Sequence, residues 1–180
     1  ALEPYMNRFG PEVIARSELT LAENWNFAQG VEDPNPVYWD EGVAKETRFG
    51  RVISPPQMIW TVFMDHWWAP EYIREAQQEY LASQEDPHAK VQEILRGVGG
   101  YTTGVNASRE DIFVEPYGPG DGRLKARTKV ASVSDEKLTA VGRGVFVTTE
   151  IEYRTEKDDR LVVIGRNVLL HYNPAERRQS

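Results

Sequence analysis

The chain has 180 residues, 40% of them hydrophobic and 27% charged, with a formal net charge of −7 at neutral pH and no cysteine. That length is enough to bury a sizeable core, and one domain over residues 1–180 is the default. The lack of cysteine excludes disulfides and thiolate chemistry, and the acidic balance argues against nucleic acid as a partner. No apolar run reaches the ~18 residues of a membrane span and no secretory signal stands at the start, so a cytoplasmic protein is expected.

In chain order, Val13-Ile14 suits a short first strand. A helix follows with Thr20 as N-cap, an apolar face of Leu19, Trp25, Phe27 and Ala28, and Gly30 as its stop. The stretch Val31 to Met58, VEDPNPVYWDEGVAKETRFGRVISPPQM, is the most distinctive part of the chain. Its two Asx-Pro steps, Asp33-Pro34 and Asn35-Pro36, hold the backbone extended before each proline and make a rigid loop that can carry side chains. Glu41 to Phe49 predicts one or two helical turns, closed by Gly50. Ser54-Pro55-Pro56 is a helix start, since proline at the first position lacks only an N–H that would be unpaired anyway. The run from Met58 to Trp68 is apolar nearly all round and predicts a buried helix over about 54–68.

Residues 70–96 are charged and helix-forming, with helices expected over 71–82 and 89–96, on the surface or over a pocket mouth. The rest is β: strands are predicted over 109–116, 124–134, 141–153 and 161–172, with a dense turn at Tyr117-Gly118-Pro119-Gly120-Asp121-Gly122. Along 124–130, Lys125, Arg127 and Lys129 alternate with Ala126, Thr128 and Val130. One early buried helix followed by antiparallel strands is an α+β pattern.

The residues Asp33, Asn35, Pro36 and Val37 match in register the signature Gly-Asp-x-Asn-Pro-(aliphatic)-His, and the chain resembles the MaoC-like hydratases and dehydratases (FAS1-type) of the hot-dog fold. Glu32 stands at the glycine of the signature and Tyr38 at its histidine. The resemblance implies a single hot-dog fold, an antiparallel sheet wrapped around the helix over 54–68 with Ile59, Val62, Phe63 and Trp67 against its concave face. It also implies hydration of a trans-2-enoyl-CoA with Asp33 and Tyr38 at the catalytic positions. Asn35, Val37, Gln57, Met58 and Trp60 are then substrate-binding candidates. Because Pro55 and Pro56 lack N–H groups, Gln57 and Met58 are the donors available to the thioester carbonyl. Arg48, Arg51, Lys125 and Arg127 are candidates for the phosphates of coenzyme A, which is the handle of the substrate. No other cofactor is implied.

A phenol titrates near 10 and an imidazole near 6.5, so Tyr38 does not replace a histidine as a proton shuttle at neutral pH. Two readings follow. In one, the chain is a subunit of a heteromeric hydratase of fatty-acyl or steroid side-chain thioesters. It then supplies pocket wall and interface, while a homologous MaoC-like subunit supplies the Asp and His. In the other, it is a self-sufficient homodimeric hydratase using Asp33, with Tyr38 or His66 as the acid. A metal site is not expected from His66, His88 and His171, which lack zinc-ligand spacing. His66 reads as a core histidine, and no Gly-x-Ser-x-Gly marks a serine nucleophile.

Overall fold

Alternation between Leu124 and Asn173 builds the centre of one antiparallel sheet. The computed structural model describes residues 1–64 and 69–176. β3 (Leu124–Val133), β5 (Gly142–Thr155) and β6 (Leu161–Asn173) are neighbours, with β1 (Val13–Ile14) beyond β3 and β2 (Thr103–Phe113) beyond β6. The order is β1-β3-β5-β6-β2, and β4 (Lys137–Thr139) pairs with β5. The last three expected strands form where they were expected, two from their alternation and the third from its apolar run. β2 starts at Thr103, six residues before the expected Arg109, and ends at Phe113. Its side chains are mostly exposed, so no apolar period marks it; its pairing with β6, from Thr103 opposite Tyr172 to Phe113 opposite Val163, imposes the strand. The short β4 was not expected from the sequence.

The two faces of the sheet differ in chemistry. Val145, Val147, Thr149 and Tyr153 are buried on the inner face of β5. On the outer face the cations of β3 meet the carboxylates of β5: Arg127 lies 2.9 Å from Glu152, and Lys129 lies 2.7 Å from Glu150. Phe9 of the N-terminal segment lies under both cations, 4.3 Å from the Arg127 guanidinium carbon and 5.0 Å from Lys129 Nζ.

α1 (Leu21–Gly30) forms as expected. Its N-terminus carries a full capping box, in which Thr20 Oγ1 accepts from the Glu23 N–H at 3.2 Å and the Glu23 carboxylate accepts from the Thr20 N–H at 3.0 Å. α2 (Glu41–Glu46) is capped by Asp40, which accepts from the Val43 N–H at 3.0 Å.

The long helix expected over 54–68 is much shorter among the described residues. A 3-10 turn at Pro56–Met58 leads into α3 (Ile59–Val62), and the chain leaves helical geometry at Phe63, with φ −105° and ψ 6°. Residues 65–68, with His66 and Trp67, lie outside the described residues. The burial is one-sided: Met58 and Ile59 are buried, Val62 and Phe63 only partly, and Trp60 is 49% exposed. The prolines that start the helix also hold its first residues against Tyr117, whose hydroxyl donates to the Pro55 and Pro56 carbonyls at 3.1 and 2.9 Å. The core anchor is therefore Ile59, fully buried, and not Phe63, whose ring lies at the margin 5.4 Å from that of Tyr153. Ile59→Ala lowers stability by ~2–5 kcal/mol, and Phe63→Ala lowers it by less; urea midpoints of the two variants check the order.

The segment 70–96 contains both expected helices, with different fates. α4 (Glu71–Ser83) buries no residue and meets the body through Gln77, whose Oε1 accepts from Arg16 at 2.8 Å. α5 (Pro87–Gly99) is part of the core. Its Val91 and Leu95 pack with Tyr101, Val130, Val145 and Val147, closing the end of the inner face away from α3. Under it, His171 is buried, with no hydrogen-bond partner for Nε2 among the described residues. Burial holds its imidazole below the ordinary histidine range, and nearby His88 and Arg96 add to this. Burial lowers His88 too, against the opposing charge of Asp86. Both groups favour the neutral form when folded, so the unfolded chain binds more protons between the lowered pKa and ~6.5, and stability is lost as the pH falls through that window. The melting temperature drops on acidification from about pH 7.5 to about 5.5, and the slope is shallower in a His171→Gln variant.

Candidate functional site

The Asp-Pro-Asn-Pro loop is built from its own side chains. Asp33 Oδ1 accepts from the Asn35 N–H at 3.0 Å, and Asn35 Oδ1 accepts from the Val37 N–H at 3.3 Å, capping the 3-10 turn Pro36–Tyr38. These are Asx turns, the local bonds that such residues make when a proline follows. The Asp33 N–H returns to the Ala28 carbonyl at 2.9 Å, fixing the loop to the end of α1. Glu32 has φ +57°, in the left-handed region that glycine adopts without strain. Glu32, at the glycine position of the signature, thus takes a backbone conformation that glycine would adopt more easily.

The loop is held from within by Asn24, which is fully buried. Its Nδ2 donates to the Tyr38 carbonyl at 2.9 Å and the Ile53 carbonyl at 3.1 Å, and its Oδ1 accepts from Ser54 Oγ at 2.6 Å. One side chain of α1 therefore ties the signature loop to the segment that leads into α3. Around it Val37, Ala44, Val52 and Ile53 form a small core, with Tyr38 and Phe49 at its edge. The turn 116–121 closes over the same segment: the Ser54 N–H donates to the Tyr117 carbonyl at 2.7 Å. Gly118 is required there, since a β-carbon would come within 2.8 Å of the Ile53 backbone.

The Asp33 carboxylate acts on the Tyr38 phenol through its charge. Burial pushes the Tyr38 phenol up, the Asp33 carboxylate pushes it further, and a hydrogen bond with Asn35 partly offsets both. At neutral pH this phenol stays protonated, able to donate a hydrogen bond but not to shuttle protons. Asp33 lines a cavity of about 300 Å³ together with Trp25, Pro34 and Trp39, whose two indoles meet edge to face at 5.0 Å. A second cavity, of about 230 Å³, lies between residues 48–56 and the end of β2, lined by Arg48, Phe49, Pro56, Phe113 and Tyr117 among others.

The remaining sequence candidates separate. Val37 is buried core, so it does not present its side chain to a ligand; Asn35 is exposed but its Oδ1 caps the turn. The Met58 N–H is taken by the Pro55 carbonyl at 2.9 Å, which leaves the exposed Gln57 as the candidate amide donor. α3 has four residues, too few for the dipole of a long helix to assist that donor. Trp60 is not part of a uniformly apolar helix surface, because its Nε1 donates to Asp111 Oδ2 at 2.7 Å. Of the four phosphate candidates, Lys125 is paired with Glu12 at 3.3 Å and Asp159 at 2.9 Å, and Arg127 belongs to the outer-face ladder. Both are corrected to structural roles: alternation had put them together on one face, and that face is the one turned from the loop. Arg51 is held by Asp121 at 2.8 Å. Arg48 is exposed at the second cavity, 4.8 Å above the Phe49 ring. Sequence reading missed Asn24, Asp111 and Tyr117. A buried asparagine inside an amphipathic helix is the one signal that was available.

An antiparallel sheet in the order β1-β3-β5-β6-β2, with a proline-started turn against its inner face, defines a hot-dog protein. Residues 15–164 match the model of the FAS1-like dehydratase domain region, and the chain belongs to that family. It is 32% identical over 163 residues to a probable enoyl-CoA hydratase alpha subunit of Thermomonospora curvata, covering 89% of this chain and 46% of that one. The chain thus spans about half the length of this curated relative. Among solved structures, it is similar to a chain of the ChsH1-ChsH2 complex from Mycobacterium tuberculosis, with TM-score 0.78, 20% identity and coverage of 97% and 95% of the two chains. It is also similar to the HadBC (3R-hydroxyacyl-ACP dehydratase) complex of the same organism, with TM-score 0.54, 18% identity and coverage of 89% and 95%. The (R)-hydratase from A. caviae involved in PHA biosynthesis gives TM-score 0.53 at 19% identity, covering 90% and 95%. At these identities the likeness establishes the hot-dog fold.

Proposed function

We propose that this chain is a subunit of a heteromeric hydratase that adds water to a trans-2-enoyl-CoA. It contributes pocket wall and interface, and a homologous MaoC-like subunit carries the catalytic Asp and His. The observation that carries this reading is Tyr38: the residue at the histidine position is a phenol pushed further from neutrality by burial and by Asp33. The loop keeps its shape while losing its proton shuttle, as in a subunit retained for architecture. Two relatives bear the names of two-component complexes, which supports a partner for this chain as well. β2 supplies a place for one. Among the described residues it is an 11-residue edge strand that pairs on one side only, and Val105, Ile112 and Phe113 on it are exposed.

In the complex, the second cavity receives the thioester arm, with Arg48 at its mouth facing a coenzyme A phosphate and the Gln57 N–H toward the thioester carbonyl. Asp33 and Tyr38 occupy degenerate catalytic positions, and the acyl group lies against the exposed Trp60 rather than the buried Met58. The exposed indole of Trp60 suits a bulky acyl group, of the fatty-acyl or steroid side-chain kind. The reaction needs no metal or redox cofactor, since water addition is acid–base chemistry on an activated thioester. The test is co-expression with a MaoC-like subunit carrying the complete Asp/His pair. Native mass spectrometry is expected to show a heteromer, and enoyl-CoA hydration is expected only from that heteromer. Robust hydration by the purified chain alone would establish the homodimeric alternative instead.

A further inference from the structure

Trp60 is fixed in place by a charged pair on the edge strand. The Asp111 carboxylate accepts from Trp60 Nε1 at 2.7 Å and from Arg109 Nε and one terminal nitrogen at 3.1 and 3.0 Å. The same Arg109 nitrogen donates to the Tyr153 hydroxyl at 3.2 Å, and the guanidinium carbon stands 4.1 Å from the indole centroid. The side chains of Arg109 and Asp111 are 17% and 9% exposed, whereas Trp60 is 49% exposed. The sheet makes room for the pair at Gly165, opposite Asp111 in register: a β-carbon there would approach Asp111 Oδ1 to 2.9 Å and the Tyr153 ring to 3.3 Å.

A largely buried ion pair adds little net stability, and apolar residues of similar size would serve a core as well. What this pair supplies is orientation. An indole half out of the protein would otherwise turn about its side-chain bonds; here one face lies under a cation and its edge is tied by a charge-assisted hydrogen bond. The location matters as well. Arg109, Asp111 and Phe113 alternate onto the same face of β2, and Phe113 lines the cavity beside Pro56 and Tyr117. The fixed indole therefore adjoins the cavity assigned above to the thioester arm.

We propose that Arg109 and Asp111 are positioning residues that hold Trp60 as a rigid aromatic wall for the apolar acyl portion of the ligand. This rests on the hydratase reading, and the ligand class it selects is a thioester whose acyl group has a broad apolar face to lay on an indole. A short acyl chain does not reach this wall.

The experiment uses the assembled heteromer with two ligand sets: enoyl-CoAs with a two-carbon-extended or a ring-bearing acyl group for turnover, and the matching saturated acyl-CoAs for calorimetric binding. Trp60→Ala and Asp111→Ala are each expected to raise KM and Kd for the ring-bearing compounds roughly tenfold while kcat stays within about twofold. The double variant is expected to be no worse than either single one, because both act on the same indole. Asp111→Asn, which keeps an acceptor for the indole N–H, is expected to restore most of the affinity. Unchanged affinity in Asp111→Ala, or multiplying effects in the double variant, would overturn the proposal. If the heteromer binds saturated ring-bearing acyl-CoA with this pattern but hydrates nothing, the wall stands and the hydratase reading fails. If it hydrates but the variants bind as the wild type does, the wall fails alone. No binding of any acyl-CoA overturns both.

Discussion

If this chain is the architectural subunit of a heteromeric hydratase, as proposed, Asp33→Asn in it leaves turnover of the assembled enzyme within a few-fold, whereas the matching change in the catalytic subunit lowers it by ~10²–10⁴. The asymmetry follows from what each loop can do with a proton. An aspartate and an imidazole share water and exchange protons near neutral pH. In this chain the imidazole is replaced by a phenol that burial and Asp33 both drive up, and an aspartate alone does not complete the cycle. One oxygen of Asp33 is also engaged in holding the loop, through the Asn35 N–H at 3.0 Å. The variant therefore registers mainly as a small change in loop geometry, visible in KM. Steady-state kinetics of the two complexes, each carrying one altered subunit, read the difference directly. An Asp33→Asn loss as large as that in the partner subunit would mean that this chain carries out the chemistry.

Asn24→Ala destabilises the chain by ~3–5 kcal/mol, more than a change at any exposed loop residue. Asn24 is fully buried and makes three hydrogen bonds to two separate segments. Alanine would leave the Tyr38 and Ile53 carbonyls and the Ser54 hydroxyl without it, each at the cost of a buried polar group that has lost its partner. The same change loosens the loop that carries Asp33, so on the proposed reading affinity for acyl-CoA falls together with stability. Urea denaturation gives the first effect and calorimetric titration the second. An Asn24→Ala chain that melts like the wild type would show that the loop is held by its prolines alone.

The alternation of 124–130 and 145–151, the apolar run Leu161–Ile164 and the two Asx-Pro steps were enough, by themselves, to place the central strands, the loop and the family. These features are local. A strand buried on one face must alternate, and a proline constrains the residue before it whatever surrounds them. The capping box of α1 was half legible for the same reason, since Thr20 and its partner Glu23 are three residues apart. Tyr38 at the histidine position was likewise plain in the sequence, and its chemistry follows from the side chain itself.

What the tertiary structure decided are the matters of partnership across distance. The apolar run after Met58 reads as a long buried helix because most residues in it suit a core. Which of them is buried depends on what the sheet offers opposite: an apolar floor beneath Ile59, but a carboxylate beneath Trp60. Lys125 and Arg127 could be counted as cations in the sequence, yet only the pairing of β3 with β5 shows that carboxylates already neutralise Arg127 and that the whole ladder faces away from the loop. β2 has no period of its own and is a strand because β6 lies beside it. Asn24, Asp111 and Gly165 each act on residues far along the chain, and no local pattern carries that information: a hydrogen bond between segments exists only once both have been brought to the same place.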